Sequence, residues 1–124
     1  MKALFLHYPK CTTCKRALKF LEEQNAISEK FTIETRHIVE ENPTVEELRT
    51  WITKSGLPFK KFFNTSGLVY RDLGLKDRVK DMALEEALEL LASNGMLVKR
   101  PLLITDETVL VGFKEGDYKE IFEK

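Results

Sequence analysis

An α/β fold is what the sequence predicts, with a β-α-β opening, a helical middle and a β-β-α close. Three observations carry it. A short, continuous apolar run at residues 2–8 gives way at once to a helical period, and a second strand pattern follows within the first 40 residues. The middle of the chain then shows only helical spacing. Near the C-terminus, two strand patterns separated by a short polar turn precede a last helical stretch.

Residues 2–8 end at Pro9 and suit a strand buried on both faces. From Thr12 the period changes. Cys14, Ala17, Leu18 and Leu21 share one helical face, Lys15, Arg16, Lys19, Glu22 and Glu23 lie elsewhere, and Asn25 reads as the stop. Residues 31–39 alternate Phe31, Ile33 and Thr35 against Thr32, Glu34 and Arg36, a second strand. Strand, helix and strand at this spacing predict a parallel pair with a right-handed crossover.

Thr44-Val45-Glu46-Glu47 has the form of a capping box, and Val45, Leu48, Trp51 and Ile52 make the buried stripe behind it. Ser55-Gly56-Leu57-Pro58 ends that helix, residues 60–64 read as a short helical turn, and Thr65-Ser66-Gly67 reads as a loop. Phe59, Phe62 and Phe63 are expected to pack inward, leaving Lys60 and Lys61 in solvent. Leu84, Ala87, Leu88 and Leu91 form another helical face, closed by Asn94-Gly95. Strand patterns at 102–105 and 109–112 flank Asp106-Glu107-Thr108 as a hairpin, and residues 118–122 belong to a terminal helix. This is the thioredoxin-like order. With no internal repeat, low-complexity stretch or linker, residues 1–124 read as one domain with a helical insertion at about 44–94.

Composition narrows the function. The chain is 43% hydrophobic and 32% charged, typical of a soluble globular protein. Lys plus Arg and Asp plus Glu balance at 20 each, which argues against direct nucleic-acid binding or an anionic-membrane partner. The N-terminal apolar run is too short for a signal-peptide core, and no stretch approaches the ~18 apolar residues of a membrane helix. A cytoplasmic location is expected, where a close cysteine pair is catalytic, redox-sensing or metal-binding rather than a structural staple.

That pair is Cys11-Thr12-Thr13-Cys14. Cys11 follows a buried strand and opens a helix, so its sulfur is expected near unsatisfied backbone N–H groups at the positive end of the helix dipole. Lys15 and Arg16 add positive charge in the first turn. Both effects favour the thiolate, which is the nucleophile. Cys14 lies one turn on and is expected to be more buried, giving an attacking and a resolving cysteine. Two other readings exist: a pair of small buried hydrophobes, and a metal site completed by His7 and His37. The histidine spacing fits no usual zinc arrangement, and His7 reads instead as a core or strand-end residue. No metal is expected.

Several segments together resemble the arsenate reductase-like family (ArsC/Spx): residues 8–14, YPKCTTC; 57–67, LPFKKFFNTSG; 70–75, YRDLGL; and 99–102, KRPL. The resemblance runs in order along nearly the whole chain. It implies a thioredoxin-like fold with a central helical insertion. In the arsenate reductases of that family the cysteine at the position of Cys11 attacks arsenate, arginines hold the oxyanion, and glutathione with glutaredoxin completes the reduction. Arg100 matches one of those arginines; the segment after Leu57 offers Lys60 and Lys61 instead, and none stands near Gly112-Phe113. Cys14 has no counterpart in those reductases. The Spx branch does carry C-x-x-C there and uses it as a redox switch while binding RNA polymerase. The resemblance also implies that Pro101 is the cis-proline facing the cysteine.

The function expected is a thiol–disulfide oxidoreductase with Cys11, Cys14 and Arg100 as its catalytic set. Lys15, Lys60 and Pro101 are assigned to substrate. No cofactor is expected to be bound; glutathione is the expected co-substrate, and glutathione, glutaredoxin or thioredoxin the electron donor. The alternatives are an Spx-like redox regulator that binds RNA polymerase and a glutaredoxin-dependent arsenate reductase.

Overall fold

A computed structural model of the chain describes residues 1–123, which fall into two compact units. The first comprises residues 1–37 and 100–123, and the second comprises Ile38–Lys99.

The first unit is built on a four-stranded mixed sheet in the order β2-β1-β3-β4. Its strands are β1 (Lys2–His7), β2 (Thr32–His37), β3 (Leu102–Thr105) and β4 (Val109–Val111). β1 pairs parallel to β2, with His7 opposite His37, and antiparallel to β3; β3 and β4 are antiparallel. Helices α1 (Thr12–Ser28) and α6 (Glu115–Glu123) complete the unit, and this is the thioredoxin-like arrangement expected. Ala3, Phe5, Ala17, Leu21, Phe31, Leu103, Tyr118 and Ile121 form its core. The hairpin between β3 and β4 turns on Thr105. Its N–H donates to the Thr108 carbonyl at 2.8 Å, and its buried hydroxyl oxygen accepts from the Thr108 N–H at 3.1 Å. That satisfies a polar side chain within a short apolar strand pair.

Helix α1 outruns its expected end by three residues, because Asn25 does not stop it. The Asn25 side chain instead reaches Phe31, accepting its N–H at 2.9 Å and donating to its carbonyl at 2.8 Å. It thereby fixes the approach to β2, while Glu29 in the left-handed region ends the helix (φ 52°). β2 is shorter than the alternation suggests, and α6 begins earlier than residue 118.

The second unit holds α2 (Val45–Ser55), α3 (Leu68–Asp72), α4 (Leu75–Arg78) and α5 (Leu84–Ser93). Thr44 closes a capping box with Glu47 at the head of α2. Leu48, Trp51 and Ile52 are buried on α2, and Ala87, Leu88 and Leu91 on α5. Arg49 of α2 grips the Glu85 carboxylate of α5 with two nitrogens, at 2.6 and 2.9 Å. Phe59–Phe62 is a 3₁₀ turn, slightly earlier than expected; Phe62 and Phe63 are buried and both lysines exposed as expected, whereas Phe59 is only half-buried. α3 and α4 were not foreseen: at five and four residues they are too short to show a period.

Asn94-Gly95 ends α5, but not through a left-handed glycine. Asn94 is extended, and the Asn42 side chain takes up the helix end by donating to the Ala92 carbonyl at 2.6 Å. Gly95 is glycine for want of space: a Cβ there would run into the Ile38 carbonyl oxygen and sit 2.8 Å from Asn42 Oδ1. Among the described residues, no helix is long and apolar enough to cross a membrane.

Gly95→Ala should therefore cost about 2 kcal/mol or more, since backbone rather than a flexible side chain must give way. Gly116→Ala, in α6 with nothing within 4 Å of the added methyl, should be neutral or stabilising by up to about 1 kcal/mol. Urea unfolding of both variants checks the contrast; equal midpoints would refute it.

Candidate functional site

The site grows from the junction of β1 and α1. β1 ends at His7, and the chain turns so that the Cys11 N–H donates to the Tyr8 carbonyl at 2.9 Å. Cys11 is then extended (φ −83°, ψ 120°) and stands as the N-cap of α1. Its carbonyl accepts the Lys15 N–H at 3.1 Å, and its Sγ accepts the Cys14 N–H at 3.4 Å, an ordinary length for sulfur. A cysteine thus does what serine or aspartate does at other helix starts. No acidic residue lies in the first turn to compete for the N–H groups.

The second contributor arrives from the other half of the same unit. Arg100 precedes β3, joined to Pro101 by a cis peptide bond, as the family resemblance implies. Its guanidinium lies over the Tyr8 ring, with Cζ 5.0 Å from the ring centroid. Its charge and a polar side-chain interaction also favour the Cys11 thiolate, whereas its Nη1 is buried with no partner among the described residues.

Both cysteines are free thiols, and their surroundings drive them apart. At Cys11 burial works to raise the pKa. The backbone bond from Cys14 outweighs it together with the side-chain bonds to Cys14 and Arg100 and the Arg100 charge, so the net direction is down. Cys14 is fully buried, and burial first, then its bond to Cys11 and the Cys11 charge, push its thiol up to about 12. A Tyr8 backbone bond, second only to burial in size, and more weakly the Arg100 charge pull the other way.

Of the residues expected in the site, the structure brings together Cys11, Cys14 and Arg100, with Pro101 adjoining Arg100 in the chain. Lys15 lies exposed in the first turn of α1 and is not among the groups that lower Cys11, contrary to expectation. The reason is geometric: the Cys14 N–H bonds the sulfur and Arg100 acts on it, whereas Lys15 faces solvent. Arg16 instead lies over the Phe113 ring at 5.7 Å. Lys60 is exposed on the 3₁₀ turn of the second unit. His7 and His37 are paired strand-end residues; burial, then the His37 charge, lowers His7. Among the described residues no three His, Cys, Asp or Glu side chains gather as a metal site would need. Tyr8 received no role from the sequence, although its place beside Pro9 and the cysteine pair was a usable signal.

Fold and site together define a thioredoxin-like protein with a cysteine pair at the start of its first helix. Residues 6–121 match the ArsC family, and the chain belongs to it. It is 51% identical over 120 residues to the uncharacterized protein YusI of Bacillus subtilis, covering 97% of this chain and 98% of that one. The crystal structure of an ArsC family related protein from Bacteroides fragilis superposes with a TM-score of 0.90 at 53% identity, covering 98% of each chain. A more distant relative is the global transcriptional regulator Spx of Enterococcus faecalis, 25% identical over 116 residues, covering 94% of this chain and 83% of that one.

The contrast between the thiols is directly measurable. In Cys14→Ser, alkylation of Cys11 should titrate with a midpoint below the ~8.5 of a free thiol. In Cys11→Ser, alkylation of Cys14 should stay slow through pH 9. Midpoints at or above the free value for Cys11, or matching curves for the two variants, would contradict the site.

Proposed function

We propose that this protein is a thiol–disulfide oxidoreductase in which Cys11 attacks and Cys14 resolves. The observation that carries the reading is the opposed bias of two thiols three residues apart: one lowered and partly exposed, the other buried and raised. A shared helix start makes them neighbours, and their environments assign the order in which they act.

The chemistry balances as follows. The Cys11 thiolate attacks one sulfur of a disulfide R–S–S–R′. A Cys11–S–S–R bond forms, and R′S⁻ departs. Cys14 then loses its proton to the departing thiolate or to water and attacks Cys11 Sγ. The Cys11–Cys14 disulfide forms and RS⁻ leaves. The substrate gains two electrons and the protein loses two, which a thiol donor must restore. Glutathione, glutaredoxin and thioredoxin are donors of the right class.

Cys14 would be a poor nucleophile if its pKa stayed near 12. Two of the causes that raise it, the bond to Cys11 and the Cys11 charge, vanish once Cys11 is tied up in the mixed disulfide, while the lowering charge of Arg100 remains. The first step therefore removes part of what holds Cys14 neutral, and because its attack on Cys11 is intramolecular, burial from solvent does not bar it. Arg100 plays two parts here. It stabilises the Cys11 thiolate, and its charge would favour an anionic substrate beside it. Pro101 and Lys15 border the approach in sequence and would contact the substrate.

A redox-regulator reading is favoured by one observation, the likeness to Spx along most of the chain. Affinity capture with the reduced and oxidised protein, probed for RNA polymerase subunits, separates it: retention that depends on redox state would favour the regulator, and no retention the oxidoreductase.

Two outcomes are expected of the oxidoreductase. Mild peroxide treatment should convert the monomer to a species two hydrogens lighter, with Cys11 and Cys14 linked and reversible by dithiothreitol. Overoxidised or intermolecular products alone would remove Cys14 as the resolving residue.

The second outcome concerns arsenate. It needs enough directed cationic donors to sit beside a thiolate, and one arginine with lysines lacks the planar forks that suit a tetrahedral oxyanion. With glutathione and glutaredoxin in excess, arsenate turnover should run on the order of tenfold or more below turnover of a small disulfide. Robust arsenate turnover abolished by Arg100→Ala would install the arsenate reductase reading instead.

A further inference from the structure

Tyr118 is the largest fully buried side chain among the described residues, yet the chemistry above makes no use of it. Its ring packs edge-on against Phe113, with centroids 4.9 Å apart, inside the core of the first unit. For that packing a phenylalanine would suffice, and the chain uses eight of them. The hydroxyl is the part that asks for an explanation, because burying it costs free energy unless it is bonded.

Among the described residues its hydroxyl bonds the Gly112 carbonyl, donating to it at 3.4 Å. Gly112 follows β4 with φ 78°, a conformation that favours glycine, and its own N–H donates to the Pro101 carbonyl at 2.8 Å. Gly112 is therefore held on both sides, by Tyr118 through its carbonyl and by Pro101 through its N–H. Pro101 is the residue bonded to Arg100, whose guanidinium lies over Tyr8 and favours the Cys11 thiolate. One line of bonded contacts thus leads from a buried phenol to the charge beside the attacking sulfur.

We propose that Tyr118 is a positioning residue for the thiol site: through Gly112 and Pro101, its buried hydroxyl fixes the backbone that holds Arg100 against Cys11. The proposal rests on the reading of Cys11 as the attacking thiol. Cys14 and Arg100 are the titratable or charged groups that act on Cys11, with Lys15 and Arg16 exposed further along α1. Cys14 is also the group whose charge acts on Tyr118, after burial, in raising its phenol. Loss of the hydroxyl lets the Gly112–Pro101 connection loosen, Arg100 spends less time on the sulfur, and Cys11 titrates higher.

The test is the pH profile of Cys11 alkylation in the full chain carrying Cys14→Ser, alone and combined with Tyr118→Phe, Arg100→Ala or both. Tyr118→Phe keeps the ring and its packing. It should lower the alkylation rate near pH 6 by about threefold, with the full rate recovered at high pH, since only the thiolate fraction changes. In the Arg100→Ala background the same substitution should add nothing, because both act through one contact. The Gly112 amide, followed by NMR hydrogen exchange, should lose protection in Tyr118→Phe, a reading that stands apart from any general loss of stability measured by unfolding. A profile that moves in Arg100→Ala but not in Tyr118→Phe would overturn the role of Tyr118 and leave the site reading intact. A profile that moves in neither would overturn both. Equal, additive shifts from the two substitutions would also overturn the proposal, since they would mean separate routes.

Discussion

One hydrogen bond organises this site: the Cys14 N–H donated to Cys11 Sγ at the first turn of α1. A helix start must satisfy several backbone N–H groups, and a neutral thiol is a weak acceptor for any of them. An anionic sulfur is a much better one. The helix is therefore capped best when Cys11 is a thiolate, and the thiolate is held best when the helix is formed. Local folding and chemical reactivity are two sides of a single contact. The turn from Tyr8 delivers the sulfur to that position, and Arg100 completes it from the far end of the chain.

The same contact explains why two cysteines so close in sequence differ so much. Being three residues apart on a helix start puts Cys11 outside the first turn and Cys14 inside it. The first keeps access to solvent and gains the N–H. The second gives up its N–H to its neighbour and sends its side chain into the core. Burial, joined by the bond to Cys11 and the Cys11 charge, holds Cys14 neutral. In the proposed chemistry that packing sets the order of events, with no moving part required.

Much of this could be read from residues alone, and the limits are physical. The βαβ opening, the capping box at Thr44 and the hairpin at 106–108 declare themselves because period and cap chemistry are local. Cys11 as a helix N-cap was legible for the same reason. Arg100 was found through family resemblance, since nothing local links residue 100 to residue 11. Lys15 was misjudged because sequence proximity stood in for direction: adjacent charge is not charge in contact. Asn25 and Gly95 were assigned to helix ends by residue type, whereas one serves the next strand through its side chain and the other clears a passing carbonyl. The Tyr118–Gly112–Pro101 line was invisible, as it joins three residues whose only relation is tertiary.

The central claim is that Cys11 is the residue that forms the covalent adduct, and trapping that adduct tests it most directly. Reduced Cys14→Ser and Cys11→Ser proteins would each be given one equivalent of a small aromatic disulfide at neutral pH, quenched within seconds and mapped by peptide mass spectrometry. The account predicts a stoichiometric mixed disulfide on Cys11 in Cys14→Ser and almost none on Cys14 in Cys11→Ser. Adduct formed equally fast on Cys14 would contradict it.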